Sequence, residues 1–123
     1  MFKYLARIIY VMDGDTLKLD IDLGFRVHIL ETVRLARINA PDTVNFGAQG
    51  INDPAKNYIL DKCPIGSMCV AQITRPDKYG RWLAEIFFQP GENDPVKILQ
   101  NPRVLNDELV RNGFAKLYSG GKK

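Results

Sequence analysis

Thr16-Leu17-Lys18-Leu19-Asp20-Ile21-Asp22-Leu23 alternates strictly, with Leu17, Leu19, Ile21 and Leu23 on one side and polar or charged side chains on the other. Successive strand side chains point to opposite faces, so a period of two marks a strand with one buried and one wet face. Just before it stands Asp13-Gly14, a strong hairpin-turn signal, and before that the apolar, β-branched run Leu5 to Met12. On the other side Gly24 interrupts. Val33-Arg34-Leu35-Ala36-Arg37-Ile38 then alternates again and stops at Asn39-Ala40-Pro41-Asp42. Three consecutive strands joined by turns predict an antiparallel meander.

Further along, the period changes. Asp53-Pro54 reads as an N-cap followed by proline at the first helical position. Ala55, Tyr58 and Ile59 share a helical face, and Pro64 ends the segment after Cys63. Met68 to Thr74 and Trp82 to Phe88 are two more strand-like runs, flanking Asp77-Lys78-Tyr79-Gly80-Arg81. Gln89 to Pro102 carries three prolines and a glycine and reads as a loop. A short helix is expected from Val104 to Asn112 with Leu105, Leu109 and Val110 inward, closed by Gly113 as its left-handed cap. Phe114 to Tyr118 adds a last apolar segment, and residues 119–123 read as a loose tail. Five antiparallel strands that hide their edges commonly close into a small barrel, and the oligonucleotide/oligosaccharide-binding (OB) barrel flanked by two or three helices is the expected fold. A flat five-stranded α+β sheet is the alternative.

Composition sets the outer limits. A chain of 123 residues, 46% hydrophobic and 25% charged, suits one globular domain with a real core, expected over 1–118. Collagen, coiled coil and wholesale disorder are excluded. A net charge of +3 is compatible with an anionic partner without requiring one. The apolar run Ile8 to Met12 is too short to span a membrane or to act as a secretory signal core, so no membrane partner and a cytoplasmic location are expected. Cys63 and Cys69 lack the spacing and further ligands of a zinc site and read as free thiols. His28, between Val27 and Ile29, reads as a half-exposed strand histidine. The chemistry therefore falls to carboxylates, amides and arginines, with a hard metal as the fitting cofactor.

If strands two and three pair about a turn near residue 27, residue 16 lies opposite residue 38. Asp15 then approaches Asn39 and Asp42. Two carboxylates and an amide oxygen at one sheet end suit Ca²⁺, with other divalent cations as alternatives. Arg34 on the same strand offers a bidentate partner for phosphate. Singly, each motif is ordinary: Asp-Gly-Asp-Thr is a hairpin turn, Asn-Ala-Pro-Asp a strand exit, and a mid-strand arginine a solvated face. Arg37 alternates away from Arg34 and reads as surface charge. Trp82, Tyr58, Phe87 and Phe88 read as core before they read as base-stacking groups.

Four segments in order, Asp13-Gly14-Asp15-Thr16, Val33 to Asp42, Asp77 to Arg81 and Leu105 to Lys116, give the chain a resemblance to the staphylococcal nuclease-like (thermonuclease) family from about Ile8 to Tyr118. The resemblance implies an OB barrel and a Ca²⁺-dependent phosphodiesterase that cleaves single-stranded or locally opened DNA and RNA, leaving 3′-phosphates, with no obligate protein partner. It implies that Asp15, Asn39 and the backbone carbonyl of Ala40 hold the metal. Arg34 would grip the scissile phosphate, Arg81 would stabilise the pentacovalent phosphate, and Asp42 would orient or deprotonate the attacking water. Lys78 and Tyr79 would contact nucleotide.

Two positions depart from the family's pattern. Asn39 stands where an aspartate is common, which keeps an oxygen ligand but removes a charge. Asp42 stands where a glutamate is usual, one methylene shorter. The retained arginines alone would equally serve a non-catalytic nucleic-acid-binding barrel, and the same fold can also carry a protein-interaction domain.

Overall fold

The computed structural model describes residues 2–40, 53–76 and 80–118. Its first strand, β1 (Phe2–Asp13), is long because it serves two neighbours. Residues Phe2 to Arg7 pair with β5 (Met68–Pro76), while Ala6 to Asp13 pair with β2 (Thr16–Asp22), both antiparallel. Register shifts between Ile8 and Tyr10 and between Val11 and Asp13 bend it from one partner toward the other, as β-bulges do. From β2 the chain returns as β3 (His28–Leu35), and β5 pairs with β6 (Trp82–Phe88).

Closure comes from a parallel seam in which Val33, Arg34 and Leu35 of β3 pair with Trp82, Leu83 and Ala84 of β6. The ring β1–β2–β3–β6–β5 returns to β1, so the strands form a five-stranded mixed barrel rather than a flat sheet. Farther along β6, Phe87 and Phe88 pair with the short strand β7 (Arg103–Val104). Three helices flank the barrel: α1 (Pro54–Lys62), α2 (Pro95–Gln100) and α3 (Leu105–Arg111). Among the described residues, no helix is long and apolar enough to cross a membrane.

The core follows from the alternation. Leu17, Leu19 and Ile21 are buried together with Ile8, Val33, Leu35 and Ile86 inside the barrel, while Ala55, Ile59, Leu105 and Leu109 seal its open sides from the helices. Leu23 lies beyond the end of β2 and is exposed. Cys63 and Cys69 are free and buried, and burial raises both thiol pKa values, which makes them inert packing groups. His28 is half-exposed, with Nδ1 2.9 Å from an Asp20 carboxylate oxygen.

Other expectations change as well, and Trp82, expected as core, is exposed. The β2–β3 hairpin turns on Gly24 to Val27, where Phe25 and Arg26 both adopt positive φ, so Thr16 pairs with Arg34 and not with residue 38. The segment Val33 to Ile38 is not one strand. It breaks at Ala36-Arg37, and β4 (Ile38–Asn39) pairs with β8 (Lys116–Leu117) in a separate two-stranded ladder. Finally, the stretch expected as a loop at Gln89 to Pro102 contains α2. Asp94 caps it by accepting from Val96 N–H at 2.9 Å, and Pro95 opens it, the same device that starts α1 at Asp53-Pro54.

Candidate active site

The Gly14-Asp15 turn between β1 and β2 is pinned on three sides. Asp13 Oδ1 accepts from Asp15 N–H at 3.2 Å. Leu35 N–H donates to the Asp15 carbonyl at 2.8 Å, tying the turn to the end of β3. Gly14 itself lies against α1 and Ala40: a Cβ there would fall 2.5 Å from Ala55 Cβ and 2.8 Å from Ala40 Cβ. Glycine is required by this approach of backbone to neighbours, without any unusual φ.

Asp15 is thereby turned inward. Its Oδ2 accepts from Ala40 N–H at 3.1 Å and from Arg34 Nη2 at 3.4 Å, while Oδ1 accepts from Thr16 Oγ1 at 3.1 Å. The same Arg34 Nη2 donates to Asn39 Oδ1 at 2.8 Å. Arg34 is only 8% exposed, and the Tyr118 ring lies 5.4 Å from its guanidinium carbon. Burial, and next the hydrogen-bonded neighbour Asp13, raise the Asp15 pKa; the Ala40 N–H and Arg34 lower it and do not fully compensate.

Asn39 reaches this cluster because the chain folds back at Ala36-Arg37. Arg37 takes φ 71°, uncommon for a residue with a side chain, and the surroundings hold it there. Its guanidinium binds Glu85 and Asp107, which raise its pKa above the ordinary arginine value. Asn106, fully buried on α3, fastens the bend with its side-chain amide. Its Nδ2 donates to the carbonyls of Ala36 and Ala84 at 2.9 and 3.0 Å, and its Oδ1 accepts from Ile86 N–H at 3.0 Å. Tyr118 N–H donates to the Arg37 carbonyl at 2.7 Å, which brings the ring over Arg34.

Asp15, Arg34, Asn39 and Ala40 are thus brought together, though Ala40 touches Asp15 through its N–H. Arg37, expected as plain surface charge, holds the bend. Arg81 immediately precedes Trp82, the Cα partner of Val33, so it stands just before the β3–β6 seam, two residues ahead of Leu83, the partner of Arg34; it is exposed. Asp42, Lys78, Tyr79 and the tail 119–123 lie outside the described residues. Sequence reading missed Asp13, Thr16, Asn106 and Tyr118. The first two carried a signal, since an Asp two residues ahead of a turn amide is a ready local acceptor. The other two act through tertiary pairing, which no local pattern announces.

Asp15 and Asn39 offer hard oxygens of the type calcium takes, and the oxygen that each turns toward Arg34 accepts from its Nη2. Among the described residues no three acidic, histidine or cysteine side chains gather by themselves into a metal cluster.

A scan against protein-family models matches the family described as staphylococcal nuclease homologue over residues 32–123, more than half of the chain. The chain belongs to this family. No curated protein matches it. Membership as a staphylococcal nuclease homologue implies a nuclease-like function on nucleic acids, in a family that is typically calcium-dependent. The matched span contains Arg34, Asn39, Ala40, Asp42, Lys78, Tyr79 and Arg81. Asp15 precedes the span and joins it through its contacts with Ala40 and Arg34.

Proposed function

We propose that this staphylococcal nuclease homologue hydrolyses phosphodiester bonds in single-stranded or locally opened DNA and RNA with Ca²⁺, leaving 3′-phosphates. The observation that carries the reading is the buried Arg34, whose Nη2 is shared between Asn39 Oδ1 and Asp15 Oδ2. A guanidinium oriented in a dry site is preorganised for charge that grows on phosphate oxygens, and it loses little freedom when it acts. The location agrees with the fold, because OB barrels bind oligonucleotides over the second and third strands and the adjoining loops.

In this reading Asp15, Asn39 and the Ala40 carbonyl would hold the ion, which would supply Lewis-acid stabilisation of charge developing on the phosphate oxygens. Arg34 grips the scissile phosphate, and Arg81, arriving from the start of β6, offers a second guanidinium to the pentacovalent state. Asp42 accepts the proton of the attacking water. Lys78 and Tyr79 contact the neighbouring nucleotide.

A second reading, a weakened or inactive nucleic-acid-binding barrel, is favoured by Asn39, whose neutral oxygen already accepts from Arg34. One experiment separates the two. Single-stranded DNA is incubated with the protein in Ca²⁺ or in chelator and resolved on a gel. Calcium-dependent fragments, lost in Arg34→Ala and Arg81→Ala, support hydrolysis; salt-sensitive retention of intact strand in both conditions replaces it with binding alone.

A further inference from the structure

Beside the candidate site, the barrel carries a small patch that phosphate chemistry does not employ. Tyr10 is 51% exposed on β1, and the Lys56 ammonium of α1 lies 5.9 Å from its ring centre. Tyr10 pairs with Lys18 on β2, which pairs with Thr32 on β3. Directly opposed residues of an antiparallel pair share a face, and residues two apart on a strand do too. Lys18 is two residues from Thr16, the partner of Arg34. Tyr10, Lys18 and Arg34 therefore stand on one outer face of β1, β2 and β3.

Their spacing follows from sheet geometry. One step of two residues along a strand and two steps between strands put Tyr10 about 12 Å from Arg34, backbone to backbone. A short oligonucleotide spans that distance.

The geometry points to Tyr10, flanked by Lys18 and Lys56, as a base-stacking subsite for single-stranded nucleic acid whose backbone continues from the phosphate held at Arg34. The inference rests on the proposed nuclease reading and specifies its substrate. The aromatic face offers an unpaired base a stacking partner regardless of its identity, and the two ammonium groups lie where the strand's phosphates pass. A duplex keeps its bases stacked internally and cannot use the ring, so the patch selects single strands. Lys56 also steadies the ring by a cation–π contact, leaving less side-chain freedom to lose on binding.

The test compares a thymidine dinucleotide with a single-stranded thymidine 12-mer in Ca²⁺. Tyr10→Ala is expected to raise KM for the 12-mer about tenfold while leaving kcat and the dinucleotide KM unchanged, and Tyr10→Phe restores the 12-mer KM. Lys18→Gln with Lys56→Gln is expected to flatten the salt dependence of 12-mer binding. Equal 12-mer KM in wild type and Tyr10→Ala overturns the subsite and leaves the hydrolysis reading intact. Failure of wild type to cut either substrate overturns hydrolysis instead. Fluorescence anisotropy of the labelled 12-mer then decides the subsite alone: weaker binding by Tyr10→Ala supports it, and unchanged binding removes it.

Discussion

Arg34 Nη2 lies 2.8 Å from Asn39 Oδ1 and 3.4 Å from Asp15 Oδ2, so the closer contact of this cation is with the neutral oxygen. The amide and the carboxylate are thereby held side by side, each with one oxygen turned toward the same guanidinium.

Arg34→Ala should lower kcat/KM on single-stranded DNA by about 10²- to 10³-fold, the usual loss when one preorganised donor to a developing oxyanion is removed. Arg34→Lys should recover only a small part, because a point charge does not fork onto two oxygens. Asn39→Asp adds a charge to the ligand set and should tighten Ca²⁺ binding on the order of tenfold by calorimetry, since ligand charge tunes calcium affinity. Unchanged calcium binding in Asn39→Asp would remove Asn39 from the ion's neighbourhood.

Asp15 and Glu108 should respond to pH in opposite senses. Burial and Asp13 raise the Asp15 pKa above its ordinary 3.8, so the folded state holds that proton more tightly than the unfolded chain. The stabilising contribution is present at low pH and lost as pH rises through the folded value. Asp15→Asn should therefore raise Tm at pH 7, with the advantage fading toward pH 3.8, and Ca²⁺ should raise Tm of the wild type but not of this variant. Arg103 and Tyr58 hydrogen-bond the Glu108 carboxylate, and Arg103 is the main cause of its lowered pKa; burial opposes. That stabilisation is present above the ordinary 4.5 and lost as pH falls through the folded value. Glu108→Gln should cost about 1–3 kcal/mol at pH 7 and progressively less in acid, measured by denaturant titration.

Gly14→Ala should destabilise by about 1–3 kcal/mol through overpacking, because its methyl would meet Ala55 and Ala40. The same displacement moves Ala40 N–H away from Asp15 Oδ2, so activity should fall more than the folded fraction does. Adding Ala55→Gly relieves the 2.5 Å clash and leaves the 2.8 Å one, so Tm should recover in part.

Asn106→Ala should be among the most damaging single changes outside the site, costing about 3–5 kcal/mol. It strips hydrogen bonds from the buried backbone groups of Ala36, Ala84 and Ile86, and each such loss costs about 1–3 kcal/mol. Hydrogen exchange should accelerate at Ala36, whose N–H donates to Ala84, and at Ile86. Slow exchange at both amides in the variant would contradict the role assigned to this side chain.

How far the sequence could be read depended on whether a feature was local. Leu17, Leu19 and Ile21 announced their strand because alternation is written into a single segment, and the limits expected for β6 match those observed. Asp94-Pro95 carried the same signal as Asp53-Pro54, yet the surrounding prolines and glycine outweighed it. Phe25 and Arg26 form a left-handed turn without the usual glycine or asparagine, so the hairpin register was displaced. The bend at Ala36-Arg37 has no local turn chemistry at all. It is imposed by Asn106, Glu85 and Asp107, residues remote in the chain. Asp15 and Asn39 were expected together for partly the wrong reason: they meet through this bend rather than along a straight strand pairing.

The parallel seam of β3 and β6 runs through Arg34 itself, which pairs with Leu83. Its two sides are separated by α1 and the whole of β5, and contacts that span so much chain carry a loop-closure cost that neighbouring hairpins do not. Contact order therefore makes the seam a costlier closure than the β1–β2–β3 meander, whose pairings join neighbouring segments. The two arginines are carried on opposite sides of that seam, so the proposed cutting would require the closed cylinder and not the meander alone.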